Sequence, residues 1–135
     1  MQLPNGAVVA VADGEKFNLF RNDGDEGGLK LVAVAHDAID SDHQGSSAGR
    51  HSSAANPDGA QDDEDGHSAG VAEFLNKKVL EGKIANLVVI AAPRTLGAVR
   101  KHYHHQLTAI LAGEIAKDLT GHSVHDVEKA VLGAA

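Results

Sequence analysis

Ala7-Val8-Val9-Ala10-Val11-Ala12-Asp13-Gly14-Glu15-Lys16-Phe17-Asn18-Leu19-Phe20-Arg21 decides the fold. Its first six residues are a β-branched apolar run of strand length, and after Asp13-Gly14 the apolar Phe17 and Leu19 alternate with polar neighbours. Asp-Gly between two such runs predicts a hairpin closed by a tight primed turn, whose positive φ glycine adopts cheaply. Outward from it, Asn22 to Gly28 is an acidic, Gly-rich connection, and Leu29 to Ala35 reads as a third strand ending at His36. Strands near 7–12, 16–21 and 29–35 thus form an antiparallel meander.

The second half has a different rhythm. Val71, Phe74, Leu75 and Val79 recur at helical spacing, with Ser68 or Asp65 placed as cap, Lys77 and Lys78 in the last turns and Gly82 as the stop, so a helix is expected over 68–81. Leu87-Val88-Val89-Ile90-Ala91-Ala92 is continuously apolar, as in a strand covered on both faces, here 86–92. Pro93 suits a first helical turn, which predicts a helix over 94–106 carrying Leu96, Val99, Arg100, Tyr103 and Leu107, with Gly97 allowing close packing. Residues 108–116 are ambiguous between strand and helix and are assigned to a strand. Ser123 and Asp126 resemble a capping box opening a helix over 123–133, with Val124, Val127 and Val131 inward. The pattern is α/β: a mixed five-stranded sheet, an antiparallel meander followed by α-β-α-β-α, with helices packed on it.

Between these halves, residues 40–70 contain no Val, Ile, Leu, Met, Phe, Tyr or Trp. Residues 37–66 hold eight acids (Asp37, Asp40, Asp42, Asp58, Asp62, Asp63, Glu64, Asp65) and one base, Arg50, which accounts for the whole formal net charge of −7. Such a tract cannot offset the cost of ordering its backbone, so a mobile acidic Gly/Ser-rich loop at about 37–66 is expected inside a single domain spanning 1–135. The run Asp62-Asp63-Glu64-Asp65 lacks the Gly-punctuated ligand spacing of an EF-hand and reads as solvated and disordered.

Composition excludes several chemistries. With no cysteine there is no disulfide scaffold, thiolate nucleophile or Cys-based zinc site. A pI near 5.6 argues against a duplex-DNA binder, and 3% aromatic content leaves no stacking platform for sequence-specific RNA recognition. Met1 to Gly6 lacks the basic and apolar regions of a secretory signal, and no apolar run reaches bilayer-spanning length, which predicts a cytoplasmic protein without membrane insertion.

Gly45-Ser46-Ser47-Ala48-Gly49 matches the G-x-S-x-G nucleophile elbow, but the strand before and helix after that an elbow requires are missing, so no catalytic residue is assigned. Nine histidines, with His102, His104, His105, His122 and His125 clustered in sequence, lack H-E-x-x-H spacing. No metal and no cofactor is expected. The better site lies after Ala92: ligands gather beyond the carboxyl ends of parallel strands, and a helix starting at Pro93 directs free N–H groups there. Arg94, with Arg100 and Lys101 further on, makes this the candidate anion or RNA-backbone site; the bland alternative pairs Arg94 and Arg100 with acids such as Asp13 or Asp118.

Val11-Ala12-Asp13-Gly14 followed by Phe17-Asn18-Leu19-Phe20, the segment Leu87 to Lys101, and Glu114-Ile115-Ala116-Lys117-Asp118-Leu119-Thr120 occur in an order that resembles the bacterial host-attachment protein family, over nearly the whole chain. That family is similar in fold to the middle domain of archaeal and eukaryotic peptide-chain release factors, whose Gly-Gly-Gln tripeptide acts from a mobile loop. The corresponding connection here contains Gln44-Gly45-Ser46-Ser47-Ala48-Gly49-Arg50 and no Gly-Gly-Gln, so the release reaction does not carry over. The resemblance implies a non-enzymatic binding protein with a ribosome or other RNA-protein particle as partner, and Gln44 and Arg50 as loop contacts. The alternative is a divergent hydrolase in which the loop orders on its target and Gln44 positions water.

Overall fold

The computed structural model describes residues 3–24, 28–36, 39 and 59–133, with only the backbone described over 59–65. The expected hairpin is present: strands β1 (Val8–Ala12) and β2 (Phe17–Asn22) pair antiparallel from Val8↔Arg21 to Ala12↔Phe17. Its turn differs from the tight primed form. Gly14 is not at positive φ; residues 13–16 cross between the strands, and the Asp13 carboxylate organises them by accepting from the N–H groups of Glu15 (2.8 Å) and Lys16 (2.5 Å). A side chain supplies what glycine's conformational freedom was expected to supply.

β3 (Leu31–Ala33) is shorter than the seven-residue expectation and pairs antiparallel with β2. Asn22, 1% exposed, sits behind that junction. Its Nδ2 donates to the carbonyls of Leu3 and Pro4, and its Oδ1 accepts from Gly24 and Lys30, so one amide ties the β2–β3 connection to the N-terminal segment. The edge N–H of Leu31 donates to Glu128 Oε2 at 2.7 Å.

Helix α1 (Gly59–Leu80) starts nine residues before the expected position. Residues 62–65, expected to be solvated and disordered, therefore lie within its first two turns, and neither Ser68 nor Asp65 is its cap. Ala, Gln and Glu are good helix formers, and four acids near the N-terminus suit the positive end of the dipole, so no apolar face is needed there. Its end follows expectation: Gly82 has φ 76°, its N–H donates to Val79 and that of Lys83 to Lys78, the paired bonds of a Schellman stop.

β4 (Leu87–Ala91) lies parallel to β1, and β5 (Leu111–Ala116) parallel to β4, giving the sheet order β3-β2-β1-β4-β5. Alternation along β1 and β4 divides the core. Val8, Ala10, Leu87 and Val89 face α1, α2 (Pro93–Arg100) and α3 (His105–Ile110) through Leu75, Leu96, Val99 and Leu107. Val9, Val11, Val88 and Ile90 face α4 (Val124–Gly133) through Val127 and Val131. The apolar run at 87–92 is thus buried on both sides, as read.

Four expectations about the second half are corrected. The helix over 94–106 is two helices, because Asn76 of α1 reaches the turn between them: its Nδ2 donates to the His102 carbonyl (2.8 Å) and its Oδ1 accepts from the His104 N–H (2.9 Å). His104 then caps α3, its Nδ1 accepting from Gln106 N–H, so 108–110 are helical and the strand begins at Leu111. Gly97 does not serve close packing either, since a Cβ there would meet nothing within 4 Å. In α4 Ser123 Oγ accepts from Asp126 N–H as expected, but the Asp126 carboxylate turns to His122 at 3.3 Å, and Val124 is 38% exposed rather than inward.

Candidate functional site

The three parallel strands finish together. Ala12, Ala91 and Ala116 occupy one register row, so Asp13, Ala92 and Lys117 are the next residues along one edge of the sheet. The sequence signals there are local: a carboxylate after β1, a proline after β4 and an Asp-Leu-Thr tail after β5.

Thr120 closes this edge. Its Oγ1 lies 2.6 Å from Asp13 Oδ2 and 2.8 Å from Asp118 Oδ1, bridging segments that follow β1 and β5 across the end of the intervening β4. Partial burial opposes the Asp13 charge, but the Thr120 hydroxyl, the N–H groups of Glu15 and Lys16 and the Lys16 charge outweigh it and hold the carboxyl below its ordinary value. Neither Asp13 nor Asp118 pairs with Arg94 or Arg100; both share the threonine instead.

Helix α2 begins here without a side-chain cap. Ala92 is its N-cap, Pro93 stands at N1, and Leu96 N–H donates to the Ala92 carbonyl. The N–H groups of Arg94 and Thr95 have no acceptor among the described residues, as expected of a first turn. The Thr95 hydroxyl is also without a partner among the described residues, although Thr95 is only 7% exposed. Arg94 is exposed and makes no ion pair there. From α1, the His67 ring bonds the Lys16 carbonyl at 3.2 Å, and the neighbouring Ser68 is buried.

The other two expected cations are elsewhere. Arg100 and Lys101 lie at the opposite end of α2, about 9 Å along its axis from Arg94. Arg100 is committed to Glu114, with Nε 3.0 Å from both carboxylate oxygens and Nη2 2.9 Å from Oε1. Tyr103 donates its hydroxyl to the same carboxylate at 3.0 Å; burial first, then the Glu114 charge and this hydrogen bond, push its ionisation far above the ordinary tyrosine range, so it remains a neutral donor. Hydrogen bonding to Glu114 likewise raises the Arg100 pKa. Lys101 is exposed at the C-cap.

The loop candidates Gln44 and Arg50, with the G-x-S-x-G pentapeptide, lie outside the described residues. The histidines are dispersed in role: His102 contributes its carbonyl to Asn76, His104 is a cap stacked on His105 at 4.3 Å, and His122 meets Asp126. Among the described residues no group of three or more His, Asp or Glu is placed to hold a metal ion, and no helix is long and apolar enough to cross a membrane. Thr95 and Thr120 carry no spacing or motif of their own that marks them in the sequence. Thr120 ends the same Glu114 to Thr120 block that carries the family resemblance, which was the available signal.

The sequence model of bacterial archaeo-eukaryotic release factor family 12 matches residues 6–131. A 52-residue stretch is 45% identical to the uncharacterized protein RP470 of Rickettsia prowazekii (strain Madrid E), covering 38% of this chain and 35% of that one. The alignment thus spans about a third of that relative's length.

Proposed function

The chain belongs to bacterial archaeo-eukaryotic release factor family 12, and from that premise we propose that it is a non-enzymatic cytoplasmic binding protein whose partner is the ribosome or another RNA-protein particle. The contact is the carboxyl edge of the parallel strands, where the first turn of α2 takes a backbone phosphate. The observation that carries this reading is the first turn of α2, where, among the described residues, the N–H groups of Arg94 and Thr95, the buried Thr95 hydroxyl and the exposed Arg94 guanidinium are all without a partner. An anion satisfies all of these together, and the helix dipole favours it. The Asp13–Thr120–Asp118 brace joins the segments that follow β1 and β5 beside this turn. Any contribution to host attachment is indirect under this reading.

The test is sedimentation of the purified chain with ribosomes through a gradient at low and moderate salt. Co-migration that Arg94→Glu abolishes, with thermal stability unchanged, is the expected result. Because Arg100 is held by Glu114, one phosphate at Arg94 gives a log-affinity slope of about −0.7 to −0.9 against log salt, and an added contact at Lys101 about doubles it. Binding indifferent to salt and to Arg94→Glu overturns the assignment.

A further inference from the structure

On the face of the sheet that carries α1, an open-sided cavity of about 290 Å³ lies between the meander and that helix. Its floor is the sheet surface formed by Val8, Leu19 and Val34, and its wall is α1 through Phe74. One end is lined by His36 and Phe74, which lie in edge contact with each other and with Phe17 behind them, centroids 4.8 to 5.8 Å apart, and the His36 Nε2 to Phe17 carbonyl bond of 3.2 Å fixes the imidazole. The other end carries three cations, Arg21 from β2, Lys78 from α1 and Lys83 from the α1–β4 turn.

An apolar slot with a cationic mouth selects one class of occupant. We infer that this cavity binds a small amphiphilic carboxylate, its hydrocarbon between the sheet and Phe74 and its carboxylate among Arg21, Lys78 and Lys83. The charges complement such a ligand. Among the described residues two acids, Asp23 and Glu81, serve the three cations, through contacts of 3.3 Å from Arg21, 4.0 Å from Lys78 and 3.6 Å from Lys83, so there the cations outnumber their acidic partners by one. Arg21 and Lys83 are more than half exposed, and exposed pairs of this kind contribute little, so a ligand carboxylate can replace their acids as partner. Lys78 is more confined, with its Nζ 5.4 Å from the Phe74 ring centroid, and links the apolar wall to the charged mouth. The volume lies at the lower limit of small-molecule pockets, of roughly 300 Å³, which suits a medium-chain fatty acid. This site shares no residue with the edge at Arg94, so the two readings stand or fall separately.

The test is a heteronuclear NMR titration of the full chain with decanoate below its micelle concentration, and with decanol as the uncharged analogue. Saturable shifts at Val34, Phe74 and Ile84, with decanol weaker by about tenfold, are expected. The double variant Arg21→Glu, Lys83→Glu lies on the surface and should retain the native spectrum while weakening decanoate by a similar factor; Phe74→Trp fills the slot and abolishes binding of both. Absence of saturable shifts, equal affinity for decanoate and decanol, or shifts centred on the exposed Leu80 and Leu132 instead of the slot would each overturn the inference.

Discussion

Asp13 performs three tasks that the sequence suggests only as one. It ends β1, builds the β1–β2 turn through two backbone N–H groups, and reaches Thr120 across the end of β4. Because these bonds favour the ionised form, the folded-state pKa lies below the ordinary aspartate value. The resulting stabilisation is fully present above the unfolded-state pKa and is lost as pH falls through the folded one. Asp13→Asn should therefore destabilise the protein near neutral pH, and the difference from the parent should shrink as pH drops below about 4. Urea denaturation over a pH series checks this; a difference that is constant with pH would show that Asp13 acts through geometry alone. Thr120→Val should move the Asp13 carboxyl back toward its ordinary value, measurable by carbon-detected NMR titration.

At the scale of elements, the α2–α3 region is set by one amide and one imidazole. Its sequence has continuous helical spacing through Leu107, and the break comes from Asn76, 26 residues upstream in α1. Removing the His104 cap by His104→Ala should cost about 0.5 to 2 kcal/mol. Gly97→Ala should do the reverse: the position is helical, φ is not positive and a Cβ meets nothing within 4 Å, so about 0.5 to 1 kcal/mol of stabilisation is expected. Thermal melts of the two variants read both signs. A destabilised Gly97→Ala would mean that α2 needs its flexibility, and that a partner or a neighbouring segment approaches its backbone there.

Across the whole molecule, two cores share β1 and β4, whose alternate residues feed opposite faces of the sheet. Leu75→Ala on the α1 face and Ile90→Ala on the α4 face should each cost about 2 to 5 kcal/mol. Both variants should unfold in one transition monitored by helix and by aromatic signals, because neither core exists without the shared strands. Separate transitions would mean that the α4 layer folds independently.

Much of this architecture is local information. The hairpin, the doubly buried run at 87–91, Pro93 at the start of α2 and the Gly82 stop each follow from side-chain periodicity or from backbone preferences that act within a few residues. The same holds for Arg94, whose place at a helix start beside a strand end is written in Ala92-Pro93-Arg94. Tertiary structure decided what depends on partners distant in the chain. Asn76 divides a helix that local spacing leaves whole, and Glu114 captures Arg100 from the intended anion site. Thr120 joins Asp13 over 107 residues, and the meander meets α1 around a cavity whose three cations come from separate elements. Hydrogen bonds and ion pairs of this kind are short-ranged in space but unrestricted in sequence separation, so only the folded chain brings their two halves together.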